Sequence, residues 1–341
     1  MQPRMKDIAR DLGLSVMTIS KVLRNHPDIS EETRKRVLQR MSELNYRPNL
    51  AARSLITGRS SMIGLVVPDL LHPFFAQVAN AVSGEIRKHG YGLIISSSDE
   101  DPELEQQEIE QLLARQVDVI IVASAQRTTE SFRRIEELKV PYILLDRRIA
   151  GLDANFVGVD DRKVGMIATT HLIEQGCTRV AHIRGPEVST AIGRMDGYRE
   201  ALAAHQLVPI AGHVVSIGTS GDYRGERGGY DAAKRLLKVD PRPDGIFCFN
   251  DPASLGAMRA ILEENLRIPE DIAIVGCGNL SYSDLLRVSL SSIDQASNSI
   301  GLSVASLAIL LAESKGSRPT RTELIRPRLV VRASSQRTLS T

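Results

Sequence analysis

The sequence predicts a small all-α head followed by a larger α/β domain. Between residues 6 and 44, apolar residues recur at the three- to four-residue spacing of short amphipathic helices. From residue 63 onward, short apolar runs of strand length alternate with longer amphipathic stretches. Such alternation indicates parallel sheets joined by right-handed helical crossovers. The runs are too numerous for one sheet, so we expect two similar parallel-sheet subdomains.

Three short helices are predicted in the head. The first covers Lys6–Leu12 and ends at Gly13, which tolerates the positive φ common after a helix. Ser15 can cap the second helix, Val16–Arg24, because its hydroxyl can accept from a free backbone N–H of the first turn. Ser30 opens the third helix. The residues expected in the core of the head are Ile8, Ala9, Leu12, Val16, Ile19, Val22, Leu23, Val37, Leu38, Met41 and Leu44.

The glycine-containing turn between the first two helices gives the helix-turn-helix pattern, in which the second helix enters the major groove of DNA. Val16 and Met17 suit contacts with thymine methyl groups, and Lys21 can donate to guanine O6 and N7. Hydroxyl groups of this helix would mainly hold phosphates. The expected DNA contacts are therefore Ser15, Val16, Met17, Thr18, Ser20 and Lys21. A plain helical bundle with a solvated basic face is the alternative interpretation.

Charge and composition fit a basic end attached to an ordinary globular domain. Residues 1–60 contain 12 Lys and Arg against 6 Asp and Glu, a balance of +6, and the rest contain 31 against 35, a balance of −4. A basic small domain is what contact with DNA phosphates requires. The 341 residues suffice for this head and two larger subdomains. Because the N-terminus has no apolar leader and no stretch approaches a membrane span, we expect a cytoplasmic, nucleoid-associated protein.

Patterns of enzymes and metal proteins are absent from the sequence. Cys177, Cys248 and Cys277 are widely spaced within apolar runs, which argues against a disulfide framework or a zinc site. No G-x-S-x-G elbow, P-loop or H-E-x-x-H motif occurs. GCGNLS at 276–281 follows a strand, but Ser281 replaces the third glycine of the dinucleotide fingerprint. We therefore expect no cofactor, no metal site and no enzymatic activity.

The head carries runs of a known regulator family. They are KDIAR at 6–10, Ser15, TIS-K at 18–21, SEETR at 30–34, ELNYRPN at 43–49 and ARSL at 52–55. Their order and spacing contain no gap, and the stretch resembles the N-terminal domain of the lactose-repressor/galactose-repressor (LacI/GalR) family of bacterial transcription regulators. The resemblance implies a DNA-binding domain over residues 1–48 and a homodimer that reads a palindromic operator.

A short segment after the head resembles the hinge of that family. Asn49–Ile56 contains good helix formers but spans about two turns, and isolated helices that short are marginal in water. The resemblance implies a hinge helix and linker over residues 49–60 that form when two copies pair over the minor groove. Asn49, Arg53 and Leu55 stand where the family has them, with Leu55 as the wedge between base steps. An ordinary flexible linker is the alternative.

The strands and helices of the α/β domain follow from the hydrophobic pattern. The expected strands are Ile63–Val67, Leu93–Ile95, Val117–Val122, Tyr142–Leu145, Phe156–Val159, Val180–Ile183, His213–Val215, Gly245–Phe249 and Ile272–Val275. The expected helices are Phe74–Lys88, Leu104–Ala114, Thr129–Leu138, Val164–Gln175, Ile192–His205, Tyr223–Leu237 and Leu255–Asn265.

The resemblance extends over nearly the whole chain. The runs that carry it are GLVVPDL at 64–70, HPFF at 72–75, GRMDGY at 193–198, FNDPASLGAMRA at 249–260, IPEDIAIVG at 268–276 and RPRLVVRASS at 326–335. This part looks like the periplasmic-binding-protein-like sensor of the family, with two Rossmann-like subdomains, and implies an effector-binding and dimerisation domain over residues 61–338. We expect the chain to cross between subdomains near Val159–Arg162, Ser291–Gln295 and Arg318–Leu324. The N-subdomain would cover about 62–160 plus 292–320, and the C-subdomain about 161–291 plus 321–338.

A ligand cleft is expected where the two sheets face each other. Ligands of open parallel sheets bind beyond the carboxyl ends of the strands. Aromatic rings there can stack on a sugar or base face, and charged or amide groups can bond its hydroxyls. The family resemblance implies a sugar or sugar derivative as effector. The expected effector-binding residues are His72, Phe74, Phe75, Asp146, Arg147, Ser189, Arg194, Tyr223, Asn250, Asp251, Asn279 and Gln295. The resemblance to the family implies the roles of Phe75, Asp146, Arg194, Tyr223 and Asn250 among them. Core positions for the two phenylalanines, and a solvated pair of arginines at 147 and 148, are the alternatives.

One run departs from the family pattern. After the last expected strand most members have Gly, an aromatic residue and an effector-binding Asp, whereas this chain has GCGN at 276–279, with Gly278 in place of the Asp. The sugar contact is therefore missing or moved to Asn279. We hypothesise an effector with an acid or phosphate group, held by the nearby Arg147, Arg148 and Arg194.

Together these patterns predict a sequence-specific transcriptional regulator, expected to be a repressor, under allosteric control by a small molecule. A nucleotide-dependent α/β enzyme has only the fold class in its favour and leaves residues 6–57 unexplained. A simple solute-binding protein would be exported, and the sequence shows no signal peptide.

Overall fold

The computed structural model describes residues 3–23, 26–46, 59–218, 225–314, 316 and 319–337. The chain divides into two compact units, Met1–Ser60 and Ser61–Thr341. In the described residues the smaller unit is helical and the larger one contains two six-stranded sheets. Within the same ranges, no helix combines the length and hydrophobicity that crossing a membrane would need.

The head contains, in its described part, the helices α1 (Met5–Leu12), α2 (Val16–Leu23) and α3 (Glu31–Glu43). Gly13 follows α1 with a φ of +65°, which glycine adopts without strain. The Ser15 hydroxyl accepts from the Thr18 N–H at 3.0 Å and caps α2. The Ser30 hydroxyl caps α3 in the same way, accepting from the Thr33 N–H at 3.2 Å. The predicted helix order and both predicted caps are confirmed.

The core of the head is formed by Ile8, Ala9, Ile19, Val22, Val37 and Met41. Two residues predicted in this core are exposed instead. Val16 is 47% exposed because it begins α2, one turn before the first buried residue of that helix. Leu38 is 49% exposed because the buried face of α3 runs through Val37 and Met41. In so small a bundle only a narrow stripe of each helix is covered, so the prediction for these two residues is wrong.

The larger unit alternates strands and helices. Its elements are β1 (Met62–Val67), α4 (Pro73–Lys88), β2 (Gly92–Ser97), α5 (Pro102–Ala114), β3 (Val119–Val122), α6 (Glu130–Glu137), β4 (Tyr142–Leu145), β5 (Asn155–Val159), α7 (Asp161–Glu174), β6 (Val180–Arg184), α8 (Ser189–Ala204), β7 (Val214–Ser216), α9 (Glu226–Leu236), β8 (Gly245–Cys248), α10 (Asp251–Glu263), β9 (Ala273–Cys277), β10 (Ser291–Asp294), α11 (Ser297–Glu313), β11 (Thr322–Ile325) and β12 (Arg328–Val330). The strands and helices predicted as far as β9 are all present, with ends shifted by a few residues. The pattern did not predict α11, because its exposed face also carries apolar residues such as Leu302, so apolar and polar residues are not separated onto two faces.

The two sheets have the same design. The first has the strand order β11-β5-β4-β3-β1-β2 and is parallel throughout. The second has the order β12-β10-β9-β8-β6-β7, in which β12 alone runs antiparallel to its neighbour. Because parallel strands end at one edge of a sheet, the loops after them gather there and form a rim on each subdomain.

One predicted crossing between the sheets and one predicted subdomain bound need correction. β10 pairs with β9 and β12, so the C-subdomain extends through Asp294 instead of ending at 291. β11 pairs with β5 of the first sheet, and β12 lies in the second, so the last crossing falls at residues 326–327. The prediction of a C-subdomain from 321 onward is therefore wrong. The sequence misleads here because β11 is an edge strand of alternating exposure that lacks an apolar run.

Glycines bring α7 and α8 into backbone contact. A Cβ added at Gly197 of α8 would lie 1.9 Å from the Arg162 carbonyl oxygen of α7, and one at Gly165 would lie 2.0 Å from the Arg194 carbonyl oxygen of α8. Only glycine leaves room for such an approach. The close packing fixes the position of α8 and of the Arg194 backbone that it carries.

We predict that Gly197→Ala lowers the free energy of unfolding by about 1–3 kcal/mol, because the new methyl group would overlap a carbonyl of the facing helix. Gly84→Ala, on the exposed side of α4 where an added Cβ meets nothing within 4 Å, is the control. It should raise the free energy of unfolding by about 0.5–1 kcal/mol. Urea unfolding measures both, and equal effects of the two substitutions would contradict the packing described.

Candidate functional site

A cavity of about 460 Å³ opens between the rims of the two subdomains. The first subdomain contributes residues from the loops after β1 to β4, and the second contributes residues that follow β6, β7, β8 and β10. This is the edge at which open parallel sheets bind ligands. The expected effector-binding residues that line the cavity are His72, Phe74, Phe75, Asp146, Arg147, Arg194, Asn250 and Gln295.

Phe74 and Phe75 form an aromatic wall on the first subdomain. Pro73 and the His72 side chain, whose Nδ1 accepts from the Phe74 N–H at 3.3 Å, start α4 at the cavity. The two phenyl rings lie 5.1 Å apart, edge to face, and the His72 ring lies 5.6 Å from Phe75. Both phenylalanines are buried and line the cavity, so each belongs to the core and to the site. Phe249 adds a ring from the second subdomain.

His72 and Asn250 connect the two subdomains at the cavity. His72 Nε2 lies 3.2 Å from Asn250 Nδ2. Asn250 is fixed because its Oδ1 accepts from the Ala253 N–H at 2.9 Å and caps α10. Burial, reinforced by the charges of two nearby arginines, lowers the pKa of His72 to about 4. The imidazole is therefore neutral at neutral pH and acts as a hydrogen-bonding group.

Asp146 and Arg147 follow β4 and bring an acceptor and a donor to the site. Both Nη atoms of Arg147 donate to the Glu100 carboxylate, at 2.7 and 2.6 Å. Asp146 has a φ of +63°, which is uncommon outside glycine. Burial raises the pKa of Asp146, although Arg194 and Arg147 oppose the rise. Asp146 Oδ1 and Arg147 Nε are buried without a hydrogen-bond partner among the described residues, and a bound polar molecule can supply one.

Arg194 interacts with acidic side chains of both subdomains, Asp161 and Asp146. Its Nε donates to Asp161 Oδ1 at 2.9 Å, its Nη1 donates to the Phe249 carbonyl at 2.6 Å, and its guanidinium lies 4.6 Å from the centre of the Phe249 ring. Burial raises the pKa of Asp161, and the charge of Arg194 opposes the rise. Burial alone would lower the pKa of Arg194, but surrounding negative groups, Asp161 and Asp146 among them, raise it. Arg194 therefore remains charged between two carboxylates.

Three of the expected effector-binding residues lie outside the cavity lining and are hydrogen-bonded to neighbouring groups. Ser189 Oγ accepts from the Arg148 N–H at 2.8 Å, which is a bond between the subdomains. The Asp251 carboxylate accepts from a serine hydroxyl of β10 at 2.6 Å and from a backbone N–H at 2.9 Å. Asn279 Oδ1 accepts from Arg332 Nη2 at 2.9 Å, so this amide does not replace the family's acidic contact. In each case the side chain is already hydrogen-bonded to a neighbouring group.

The arginines that suggested an acidic or phosphorylated effector already have partners. Arg147 is paired with Glu100, and Arg194 with Asp161. Arg148 lies with its guanidinium 3.8 Å from the centre of an aromatic ring of β5 and is not part of the lining. The charged residues of the lining are Asp69, Glu100, Asp146 and Glu187 against Arg127, Arg147 and Arg194. Such a balanced set favours a neutral polar ligand.

Several lining residues were not predicted from the sequence, namely Glu100, Thr190, Ile217 and Phe249. Phe249 and Thr190 adjoin predicted residues, so a wider window at each strand end would have included them. Glu100 acquires its role from the ion pair with Arg147, which is 47 positions away in the sequence. No local pattern reveals such a pairing.

The head presents its second helix with exposed apolar residues. Met17 is 63% exposed, and Val16, exposed as described above, stands beside it, as expected of residues that contact a partner. Lys21 Nζ donates to Asp28 Oδ2 at 2.6 Å. The predicted contacts of Asn49, Arg53 and Leu55 in the hinge, and of Tyr223 in the cleft, lie outside the described residues and stay predictions.

The described residues contain no group of three or more His, Cys, Asp or Glu side chains placed to hold a metal ion. The thiols of Cys177, Cys248 and Cys277 are free and buried, and burial raises the pKa of each to about 12. Thiols that remain protonated are poor nucleophiles.

Known proteins resemble this chain along its whole length. The family model for bacterial regulatory proteins of the lacI family matches residues 4–49, and that for periplasmic binding proteins and the sugar binding domain of the LacI family matches residues 60–326. The ribose operon repressor of Halalkalibacterium halodurans is 33% identical over 97% of this chain and 96% of its own. The lac repressor dimer bound to operator and the anti-inducer ONPF has a TM-score of 0.85 and 25% identity, covering 98% of this chain and 99% of that one. The complex of the regulator CelR with cellobiose has a TM-score of 0.74 and 26% identity, covering 97% and 99%.

These matches cover both parts of the molecule described above. The regulatory-protein model falls on the helical head, and the sugar-binding model falls on the two parallel-sheet subdomains. The fold class and the family resemblance predicted from the sequence are confirmed. The chain belongs to the LacI family of bacterial regulatory proteins.

Proposed function

We propose that this transcriptional regulator is a repressor that binds a palindromic operator as a homodimer, with its affinity for DNA controlled by a neutral sugar in the cleft. The observation that carries the proposal is the cavity between the subdomains, whose buried arginines are compensated and which retains an unpaired donor and acceptor. The relatives support it, since one is named as a ribose operon repressor and the lac repressor was solved as a dimer on its operator.

The chemistry of the lining favours a sugar. Phe74, Phe75 and Phe249 offer faces for the C–H groups of a pyranose or furanose ring. Asp146 Oδ1 can accept from one hydroxyl, and Arg147 Nε can donate to another. A volume of about 460 Å³ lies within the range of small-ligand sites. With the name of the 33% identical relative, these features make D-ribose the first sugar to test.

Binding in the cleft would act on the angle between the subdomains. Ser189 accepts from the Arg148 N–H, and His72 Nε2 lies 3.2 Å from Asn250 Nδ2, so contacts between the subdomains border the cavity. A ligand that adds contacts to both rims stabilises one angle over others. The resulting change would reach the two segments at 49–60 and alter how the paired heads fit the operator.

At the DNA, we propose that α2 lies in the major groove. Val16 and Met17 would contact thymine methyl groups, and Lys21 would read guanine. Asn49, Arg53 and Leu55 would act in the minor groove, with Leu55 as the wedge. The balance of +6 in residues 1–60 supports contact with phosphates.

We also propose that the protein has no catalytic activity and acts on the nucleoid in the cytoplasm. His171 Nε2 lies 2.7 Å from Ser335 Oγ, but both side chains are buried and neither lines the cavity. A nucleophile without access to substrate cannot act.

A regulator of transcription binds the chromosome, so the proposed place of action is the nucleoid in the cytoplasm.

Replacing Lys21 tests the base-reading role. We predict that Lys21→Ala weakens binding to the operator by about 1–3 kcal/mol and relaxes selectivity at one base pair of each half-site. The operator is first recovered from a random pool, and affinities for its single-base variants are then measured. Lys35→Ala, which removes the same charge from an exposed position of α3, should leave the selectivity profile unchanged. A uniform loss across all variants would assign Lys21 to the phosphates.

Replacing Asp146 tests the sugar site. Asp146→Asn keeps the size of the side chain but removes its charge, so we predict about 10- to 100-fold weaker binding of D-ribose, the cost of a lost hydrogen bond to a charged group. Calorimetry measures the affinity. Asp196→Asn, the same change on the exposed side of α8, is the control. Unchanged ribose affinity in Asp146→Asn would contradict the site.

A comparison of two ligands tests the charge of the effector. Because the arginines of the cavity are already paired, a phosphate group would meet Asp146 and Glu100 without a free cation in the described lining. We predict that D-ribose binds more tightly than ribose 5-phosphate in parallel calorimetric titrations. The reverse order would restore the acidic-effector hypothesis.

A further inference from the structure

Helix α2, which is proposed to lie in the major groove, carries an ion pair that its expected contacts with DNA do not explain. Lys21 Nζ donates to Asp28 Oδ2 at 2.6 Å, and the other carboxylate oxygen contacts His26 Nδ1. The hydrogen bond from Lys21, with a smaller effect of His26, lowers the pKa of Asp28 despite some desolvation. Asp28 therefore carries its negative charge at neutral pH, within the basic head.

The stability of the head does not account for this pair. The two side chains are 35% and 48% exposed, and surface ion pairs contribute little to folding. Lys21 lies in the last turn of α2, and Asp28 lies in the segment that leads to α3. The carboxylate thus restrains the one lysine of the helix that is expected to reach a base edge.

We propose that Asp28 is a specificity-determining residue that keeps Lys21 from neutralising phosphates in non-specific complexes. The inference rests on the proposed binding of α2 in the major groove. A phosphate would have to share the Lys21 ammonium with a carboxylate of like charge, which costs free energy on any sequence. Guanine O6 and N7 are neutral acceptors, and an ammonium with three donors can serve them and Asp28 together. Asp28 therefore penalises phosphate contact more than base contact.

Asp28→Asn tests this role because it removes the charge and keeps the shape. Each freed lysine would neutralise one more phosphate, so the salt slope of a dimer on non-specific DNA should steepen by about 1.8. Between 50 and 200 mM salt this corresponds to an additional loss of about ten-fold in affinity. The probes are the palindromic duplex recovered from a random pool and a duplex with the same bases in shuffled order. The preference for the palindrome should fall.

Two further variants separate this effect from a general change of charge. Asp11→Asn removes the same charge from another ion pair of the head, that between Asp11 and Arg40 at 2.6 Å. It should not steepen the slope as Asp28→Asn does. In a Lys21→Ala background, Asp28→Asn should also have no effect on the slope, because the restrained cation is gone.

The parent chain is measured first. If it shows no preference for any recovered palindrome, the proposed function fails, and this inference falls with it. If the parent is selective and Asp28→Asn keeps the parental slope, only the role of Asp28 is overturned. Weaker binding of the palindrome alone, with unchanged non-specific binding, would make Asp28 a positioning group for Lys21 and would also overturn the proposal. Equal steepening by Asp11→Asn would overturn it as a general effect of charge.

Discussion

Charge compensation inside the cleft wall decides what this molecule can bind. Arg147 is held by Glu100 and Arg194 by Asp161, all at the meeting of two sheet edges. A buried arginine without such a partner would carry a large desolvation penalty. Arg127, the third arginine of the described lining, meets Glu187 at 3.8 Å, so each arginine there faces a carboxylate. The atoms still without a partner, among them Asp146 Oδ1, suit the hydroxyl groups of an uncharged ligand.

Charged side chains from both subdomains form one electrostatic network around Arg194. Gly165 and Gly197 bring α7 and α8 into contact, which fixes the backbone of Arg194, and Asp161 stands at the start of α7 directly after the first crossing. Asp146 reaches the same network from β4 of the other subdomain. A change in the angle between the subdomains therefore alters electrostatic and hydrogen-bonding contacts at once. This is how occupancy of the cleft can bias the geometry of the whole sensor.

Much of the fold was predictable because its signals are local. A serine before an apolar stripe gave the cap at Ser15, and apolar runs gave the strands as far as β9. The rule that ligands bind beyond the carboxyl ends of parallel strands identified most of the cavity wall. It predicts at which edge of the sheet a residue lies but not the direction in which its side chain points. Asn279 lies at the right edge but is bound by Arg332, 53 positions away. The acidic-effector hypothesis loses its support for the same reason, since the partner of Arg147 is far along the chain.

The central claim is that the cleft and the DNA-binding head are coupled through one equilibrium between subdomain angles. Measuring operator affinity during a titration with D-ribose, and ribose affinity with and without operator, tests it most directly. The account predicts that ribose changes operator affinity and that operator changes ribose affinity by the same factor, about 5- to 150-fold. Ribose that binds in the cleft and leaves operator affinity unchanged would contradict the account.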